Sequence, residues 1–379
     1  MNDLERSVLA AIAWFDLFDY PLTGWEVGKW LLVIPAPYRS TGRAPTGIQK
    51  EYENRGGSFG VFSGPRNKFG MTVEASESVF EKLEHLVREG KLERKWGYYF
   101  LPGREEIIET RQRRYLLARE KFERARRVAR WLRCVPFVRL VAVCNTLGYS
   151  NAAEESDIDL FLIVAPGKIW TVRGLCLVLL KLFHLRPLLV RFGALREERK
   201  DRIDLSFFIT LDALDISALA LASDELGIMN DELGDTNIET VIPNSRFFIR
   251  DPYLAYWLAQ LTPLYDHGGV YEKFWKANET LRAALSSASP YDTSPLRAVC
   301  TSLISWPVQK ALEFIFGGTR IESILRSIQI KKMPARIKEL AGYSDGVVVS
   351  DTVLKFHDID RRAEYRRTWI ERLRAFTSI

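Results

Sequence analysis

Three runs of mainly apolar residues in the middle of the chain have the length of buried β-strands. They cover residues 138–144, 158–164 and 203–209, with few polar positions among them. Short continuous runs of this kind are typical of strands that are covered on both faces. We therefore expect the three segments to share one sheet, in a small mixed domain of the α/β (α+β) class over residues 135–215.

The region before these strands has the pattern of a small helical domain that ends in a β-ribbon. Apolar periodicity predicts one helix over residues 4–17, and another that opens at PLTGWEV with Thr23 as its cap. A third helix is predicted over residues 78–89. The segment EGKLERKWGYYFL then predicts two short strands around Trp96-Gly97.

Three helices followed by a two-stranded ribbon resemble a winged-helix domain, which would cover residues 1–103. Residues 35–72 interrupt it with a segment rich in Gly, Pro, Ser and basic residues, for which we expect a long, partly disordered loop. The third helix carries more Glu than Lys or Arg, whereas a helix that reads DNA needs cations and amides. A structural or protein-contact role is therefore as consistent with the pattern as DNA binding.

A long basic helix is predicted to connect this domain to the sheet, over residues 104–134. Residues 104–133 contain eleven Arg or Lys and five Glu, an excess that equals the net charge of +6 of the whole chain. The solvated surface of a helix whose Glu side chains pair locally explains this composition. The alternative is a track for nucleic-acid phosphates, which the local pairing of Glu105, Glu109, Glu120 and Glu123 makes the less favoured explanation. The predicted buried seam of the helix is Ile108, Tyr115, Ala118, Phe122, Ala125, Ala129 and Leu132.

Composition and cysteine placement indicate a globular protein of a reducing compartment. Of the 379 residues, 47% are hydrophobic and 27% are charged, which is ordinary for folded domains. The four cysteines are scattered without metal-ligand or redox spacing, so we expect a cytoplasmic location. The most apolar segment, residues 169–190, is interrupted by Arg, Lys and His, which predicts a buried helix and a strand, and no membrane span.

Two carboxylates stand at the start of the second apolar run. In ESDIDLFLIV, Asp157 and Asp159 are two positions apart, so on a strand their side chains point to the same face. Ionised carboxylates this close repel each other unless a cation or a proton lies between them. The pattern favours a divalent metal ion, although a solvated strand edge or a turn cap is the commoner role of an isolated Asp-x-Asp pair.

The sequence around this pair resembles the nucleotidyltransferase superfamily, which includes DNA polymerase beta and the bacterial minimal nucleotidyltransferases. The family pattern is a Gly-Gly or Gly-Ser turn after a strand, then Asp-x-Asp on the next strand, and a third carboxylate on a later one. Here the turn lies in FVRLVAVCNTLGYSN, the pair is Asp157 and Asp159, and Asp204 lies near the start of DRIDLSFFIT. The resemblance covers residues 135–215 and implies a mixed-sheet nucleotidyltransferase domain there.

The resemblance also implies a site for phosphoryl transfer. Asp157, Asp159 and Asp204 would hold Mg²⁺ (or Mn²⁺) ions, which grip the phosphates of a nucleoside triphosphate and lower the pKa of the attacking hydroxyl. Asp204 would in addition be a base toward the acceptor hydroxyl. The family turn offers backbone amides to the triphosphate. The nucleotide-binding positions would be Asn145, Thr146 and Ser156.

Alternation along RIDLSFF makes the third carboxylate compatible with a buried strand. It predicts Ile203, Leu205 and Phe207 on one face of the strand, and Asp204 with Ser206 on the other. The apolar face can then pack while Asp204 faces the pair on the neighbouring strand.

The turn is the point at which the sequence departs from the family pattern. Ten residues separate Thr146 from Asp157, which places Asn145-Thr146 where the family has Gly-Gly or Gly-Ser. Asn tolerates a left-handed backbone better than most residues. However, Asn has a side chain where the family backbone approaches phosphate closely. No Arg follows the turn either, and both departures favour a degenerate site.

Helical patterns dominate after residue 215, and we expect an all-helical C-terminal region over residues 216–379. Within it, VVVSDTVLKFHDIDRRAEYRR predicts a short apolar strand that leads into a charged helix. One interpretation makes Asp358 or Asp360 the cap of that helix. In the other, Lys355 and Arg361 reach the nucleotide phosphates and replace cations that the turn lacks.

Two functions of different class follow from these patterns. The first is an Mg²⁺-dependent nucleotidyltransferase that moves a nucleoside monophosphate from a nucleoside triphosphate to a hydroxyl of RNA, a protein or a small molecule. The second is a catalytically degenerate nucleotidyltransferase fold that acts as a nucleic-acid-binding or regulatory module. Asp157, Asp159 and Asp204 favour the first function, and the turn at Asn145 favours the second.

Overall fold

A mixed β-sheet of six strands lies at the centre of the protein, and helices cover both of its faces. The protein is therefore a mixed α/β protein, as the apolar runs predict. The computed structural model describes residues 3–32, 73–182, 202–221, 251–282, 285, 288, 305–343 and 346–377.

The strands form two sheets. They are β1 (Leu22–Thr23), β2 (Glu93–Lys95), β3 (Tyr98–Phe100), β4 (Val138–Val143), β5 (Ile158–Val164), β6 (Ile203–Thr210), β7 (Thr262–Asp266), β8 (Val347–Val349) and β9 (Val353–Phe356). The small sheet has the order β1-β3-β2, and the large one β7-β4-β5-β6-β9-β8. In the large sheet β5 and β6 are parallel, and the other neighbouring pairs are antiparallel. The three apolar runs thus lie side by side in one sheet, as predicted.

The helices of the described residues follow the same chain order. They are α1 (Asp3–Asp16), α2 (Gly24–Lys29), α3 (Val73–Arg88), α4 (Ile107–Leu132), α5 (Asn145–Gly148), α6 (Ile169–Leu182), α7 (Pro252–Gln260), α8 (Val270–Ala277), α9 (Glu279–Arg282), α10 (Ser305–Phe316), α11 (Thr319–Lys332), α12 (Ala335–Leu340) and α13 (Arg362–Thr377). None of them is long and apolar enough to cross a membrane.

The central strands are buried on both faces, and a bulge in β6 changes which face one residue takes. Asp159 and Phe161 of β5 pair with Asp204 and Phe207 of β6, so β6 contains one extra residue between its two partners. The bulge turns Phe207 to the face of Asp204, where it packs against Phe161. The prediction that Phe207 shares a face with Ile203 and Leu205 is wrong, because simple alternation ignores the bulge.

The N-terminal elements largely agree with the predicted ones. Helix α1 is within one residue of its predicted bounds, and α3 begins at Val73, five residues early. Thr23 caps α2 in a capping box, since its side chain accepts a hydrogen bond from the Glu26 amide and Glu26 bonds back to the Thr23 amide. The loop predicted over residues 35–72 lies outside the described residues.

Trp96 and Gly97 form the two-residue turn between β2 and β3. Both have positive φ, 53° and 81° respectively, as a type I′ hairpin turn requires. The glycine suits this backbone, whereas Trp96 places a large side chain, mostly exposed, in a conformation that bulky residues rarely adopt. The predicted ribbon is confirmed, and β1 adds a third strand that the sequence pattern did not indicate.

The N-terminal helices share one hydrophobic core with the helices on one face of the large sheet. Trp14 of α1 stacks on Tyr256 of α7 and meets Trp369 of α13 edge to face. The indole of Trp369 also donates a hydrogen bond to the Ala10 carbonyl in α1. Residues far apart in the chain therefore complete this core together, and α1 is packed as an integral part of the protein.

Helix α4 packs on the opposite face of the sheet along most of its predicted seam. Ala118, Phe122 and Ala125 are buried there, whereas Tyr115 is 56% exposed and does not belong to the seam. Several of the basic side chains bind the protein itself. Arg111, for example, forms two 2.8 Å hydrogen bonds with the Glu26 carboxylate. These contacts attach the N-terminal elements to the helix.

The C-terminal region is not all-helical as predicted. Strands β7, β8 and β9 come from it, and they form both edges of the large sheet. Strand β9 pairs with β6, with Lys355 opposite Phe207, and so lies beside the strand that carries Asp204. The short strand predicted within VVVSDTVLKF is present, as β8 and β9, whereas β7 has only five residues, too few to be distinguished from helix by periodicity alone.

Candidate active site

Polar residues lie together at one end of the large sheet, where four neighbouring strands, β4, β5, β6 and β9, begin or end. Asn145 follows β4, Asp157 precedes β5, and Asp159 and Asp204 lie near the starts of β5 and β6; His357 follows β9. Strand β4 is antiparallel to β5, and β9 is antiparallel to β6. The last residues of β4 and β9 therefore lie at the same end of the sheet as the first residues of β5 and β6.

Asp159 and Asp204 are direct neighbours across the parallel pair β5 and β6. Adjacent strands are separated by about 4.8 Å, so carboxylates on one face at paired positions lie close together. Burial, the charge of Asp204 and, to a smaller extent, the charge of Asp157 together raise the pKa of Asp159 from 3.8 to about 7. The Asn145 amide lowers this pKa through a 2.8 Å hydrogen bond to Oδ2 of Asp159. Near neutral pH, Asp159 is thus poised between its protonated and ionised forms.

Asp157 is held at the mouth of β5 by contacts with α4 and β6. A side-chain nitrogen of Arg202, just before β6, lies 3.8 Å from Oδ2 of Asp157. Lys121 of α4 is buried, with 3% of its surface exposed, and its Nζ donates to the carbonyls of Glu154 (3.1 Å) and Ser156 (2.6 Å). The buried ammonium group of Lys121 therefore holds the loop before Asp157 through two backbone carbonyls.

Two of the three predicted metal ligands, Asp159 and Asp204, fit a divalent cation by their chemistry. Among the residues that the structure describes, no group of three or more His, Cys, Asp or Glu side chains is arranged to hold a metal ion. The pair Asp159 and Asp204 nevertheless presents hard carboxylate oxygens on one face, the ligands that Mg²⁺ and Mn²⁺ prefer. Burial and neighbouring negative charge raise the pKa of Asp159, and a bound cation offsets both effects. Asp157 as a third ligand stays a prediction.

The three predicted nucleotide-binding residues, Asn145, Thr146 and Ser156, differ in their backbone conformation and in their hydrogen bonds. Asn145 has a left-handed backbone with φ of 55°, the conformation that a turn in this position was expected to need. Its side-chain oxygen accepts a 3.3 Å hydrogen bond from the hydroxyl of Tyr253, while its amide binds Asp159. Thr146 is half-buried in α5, and the Ser156 hydroxyl donates to the Ala153 carbonyl at 2.9 Å. As nucleotide ligands, Asn145, Thr146 and Ser156 stay predictions.

The C-terminal stretch combines a polar helix start with cations that line a cavity. Asp360 lies two residues before α13 and accepts a 3.0 Å hydrogen bond from the backbone amide of Arg362, the first residue of the helix, so it supports the helix start although Arg361 stands directly before the helix. Lys355, His357 and Arg361 also line a cavity of about 150 Å³ next to the acidic residues. Whether these cations bind nucleotide phosphates stays a prediction.

Sequence reasoning missed several residues around this site. Tyr253 and Trp257 of α7 lie over it, Arg202 pairs with Asp157, and Lys121 supports the acidic loop. The pair Asp251-Pro252 is a strong helix-start signal and could have located α7. No local signal shows which strand edge that helix covers, since its contacts are distant in sequence.

No family model, no curated protein and no solved structure matches the chain.

If the acidic site holds Mg²⁺, replacing Lys121 by Met should weaken its binding. The methionine keeps the buried stem, but it leaves the Glu154 and Ser156 carbonyls without their donor, at a cost of about 1–3 kcal/mol in stability. We expect the Mg²⁺ concentration at half-maximal nucleotide binding to rise about tenfold, and Lys121→Arg to restore part of the loss. Arg130→Met, an exposed change on the same helix, is the control. An unchanged Mg²⁺ dependence in Lys121→Met would show that the loop does not need this support.

Proposed function

We propose that the protein is a nucleotidyltransferase that uses Mg²⁺ (or Mn²⁺) to move a nucleoside monophosphate from a nucleoside triphosphate to a hydroxyl acceptor. The observation that carries this proposal is the register of β5 and β6, which sets Asp159 directly against Asp204. Asp157 lies two residues before Asp159, and the Asn145 turn ends the next strand of the sheet. The strand order β4-β5-β6 thus supports the family resemblance of the sequence.

Each side chain has a role in this chemistry. A bound Mg²⁺ would draw charge from the triphosphate and acidify the acceptor hydroxyl. Asp204 accepts the hydroxyl proton while the acceptor oxygen forms a bond to the α-phosphorus and the bond from that phosphorus to its bridging oxygen breaks, releasing pyrophosphate. Asn145 orients Asp159 through its 2.8 Å hydrogen bond, and Arg202 holds Asp157.

A transfer assay tests the proposal directly. The purified protein is incubated with each of the four nucleoside triphosphates labelled at the α-phosphate, with Mg²⁺ or Mn²⁺, and with RNA, protein and small-molecule fractions of a cell extract. We expect label to appear in one acceptor fraction, with release of pyrophosphate that stops when the metal is chelated. Absence of transfer with every nucleotide and fraction would contradict the proposal.

One observation favours a second function, binding of nucleic acid through α4. Arg113, Arg119, Arg127 and Arg130 are exposed on this helix and make no ion pair within the described residues. A degenerate site would leave this surface as the functional part of the protein. Against it, Arg104, Arg111, Arg114 and Lys121 already bind protein groups.

Salt dependence tests the nucleic-acid function. If the four exposed arginines contact phosphates, the affinity for a single-stranded RNA probe should fall with a slope of about −3 in a plot of log K against log salt, since single strands give about −0.7 per contact. Changing all four arginines to Gln should lower the affinity and flatten the slope. No binding of the probe at low salt would leave α4 with its structural role.

A further inference from the structure

The cavity beside the acidic residues lies between the sheet edge and two helices. It has a volume of about 150 Å³, enough for one small ring with its substituents, since five water molecules occupy about this volume at 30 Å³ each. Helices α7 and α13 form its roof, and the end of β9 forms one side. The residues that matter here are Asn145, Phe207, Tyr253, Trp257, Lys355, His357, Arg361 and Tyr365.

Packed aromatic rings form the walls of this cavity. Tyr253 and Tyr365 are stacked, with ring centroids 5.9 Å apart and an angle of 13° between their planes. The ring centroids of Phe207 and Trp257 are 5.3 Å apart. Aromatic faces of this kind suit a ring with an apolar side, such as a sugar.

The β9 end of the cavity has a net positive charge, since Lys355, Arg361 and Arg362 outnumber the carboxylate of Asp360, which binds Arg362; it also has a buried hydrogen-bonding atom without a partner. Lys355 lies opposite Phe207 on the sheet face of Asp204, with only 7% of its surface exposed. Nδ1 of His357 is buried and has no hydrogen-bond partner within the described part of the chain. Arg361 at the rim makes no ion pair with the described residues. Two cations suit an anionic group, and a buried polar atom without a partner suits a hydroxyl beside it.

The β9 end of the cavity and the Asn145 turn lie on opposite sides of Asp159 and Asp204, so each can receive a different ligand. The strand order β4-β5-β6-β9 places the Asn145 turn on one side of the Asp159 and Asp204 pair, and Lys355 with His357 on the other. His357 is close enough to Asp204 for the charge of that carboxylate to act on its pKa. If the turn receives the triphosphate, then a molecule at the β9 end approaches the base Asp204 from the acceptor side.

We propose that this cavity binds the acceptor, and that the acceptor is a small hydroxyl compound with an anionic group, such as a sugar phosphate. The inference rests on the proposed function and narrows its acceptor class. Lys355 and Arg361 bind the anionic group, His357 accepts a hydrogen bond from a hydroxyl, and the aromatic walls hold the ring. The hydroxyl that reacts lies toward Asp204.

Binding of ribose 5-phosphate and of ribose to the full-length protein tests this inference, with tryptophan fluorescence or calorimetry as the readout. Ribose 5-phosphate should bind at least about tenfold more tightly than ribose, because its phosphate makes charged hydrogen bonds that ribose cannot make. Lys355→Met and Arg361→Met should each weaken ribose 5-phosphate binding by about tenfold, and Arg130→Met should not. Binding of a nucleoside triphosphate with Mg²⁺ should stay unchanged in both variants.

Three results would overturn the inference. They are no preference for ribose 5-phosphate over ribose, competition between ribose 5-phosphate and the nucleoside triphosphate, and displacement of ribose 5-phosphate by a short RNA. The second result would return Lys355 and Arg361 to the nucleotide phosphates, and the third would favour an RNA acceptor. Failure of the proposed function can be told apart from failure of this inference, because the binding measurements require no transfer. A protein that binds ribose 5-phosphate as expected but never transfers label would contradict the proposed function and leave the binding site in place.

Discussion

Asp157→Asn and Asp159→Asn should each abolish nucleotidyl transfer and leave the fold intact. Each change removes a hard, charged oxygen ligand from the site that is proposed to hold Mg²⁺. Loss of metal-based stabilisation of the transition state costs several kcal/mol, so we expect activity to fall at least about a thousandfold. Metal-dependent nucleotide binding should weaken in parallel. The measurements are the transfer assay and equilibrium nucleotide binding with and without Mg²⁺.

The matched control for these variants is Asp212→Asn, which changes an exposed carboxylate just after β6. It should transfer at the wild-type rate. Asp204→Asn should lose both metal binding and the proton acceptor, and should therefore be as inactive as the other two. Activity retained by Asp157→Asn or Asp159→Asn would contradict the mechanism, because both carboxylates are assigned as ligands of the proposed metal.

Asp159→Asn should make the protein more stable at alkaline pH, and by a large amount. Burial and the nearby Asp204 raise the pKa of Asp159 from 3.8 to about 7 in the folded protein. Between these two values the unfolded chain has lost the proton that the folded protein keeps, so stability falls as pH rises. At 1.36 kcal/mol per pKa unit the loss above pH 7 is about 4 kcal/mol. Asparagine has no proton to lose, and it can still accept the hydrogen bond from Asn145.

The difference between the wild-type and Asp159→Asn stability curves is the quantity to measure, by denaturant unfolding from pH 4 to pH 9. Other groups near the site also titrate: burial lowers the pKa of His357 to about 4, which raises wild-type stability between pH 4 and 6.5. That contribution is common to both proteins and cancels in the difference. The two curves should meet near pH 4 and separate steadily up to pH 7. Parallel stability curves of the two proteins over this range would show that the fold does not raise the pKa of Asp159.

Added Mg²⁺ should reduce this pH effect in the wild type. A cation that binds only the folded protein stabilises it by mass action, and it binds better as Asp159 becomes ionised. Stabilisation by Mg²⁺ should therefore be larger at pH 8 than at pH 6 in the wild type. It should be small at both pH values in Asp159→Asn. Equal stabilisation of the two proteins would place the metal elsewhere.

Local patterns in the sequence were sufficient to predict much of the framework around the site. The apolar runs gave β4, β5 and β6 nearly to the residue, because each strand is buried on both faces and needs no partner to be recognised. Trp96-Gly97 and Thr23 were equally clear, since a hairpin turn and a helix cap depend on residues within a few positions. The spacing of Asp157 and Asp159 and the later Asp204 also indicated the acidic site.

Contacts between distant residues decided the rest. Nothing near Lys355 in the chain shows that β9 inserts beside β6, and the expectation of an all-helical C-terminal region failed for that reason. The bulge that moves Phe207 to the face of Asp204 depends on pairing with β5, and the burial of Lys121 depends on a loop 33 residues away. The raised pKa of Asp159 likewise follows from burial under other elements and from a carboxylate on another strand. Periodicity, turns and caps reflect energies between residues that are near in sequence, so the sequence determined the strands and the acidic motif. The cavity, its cations and the charge balance of the site depend on which strands and helices become neighbours, and that is set only when the whole core is packed.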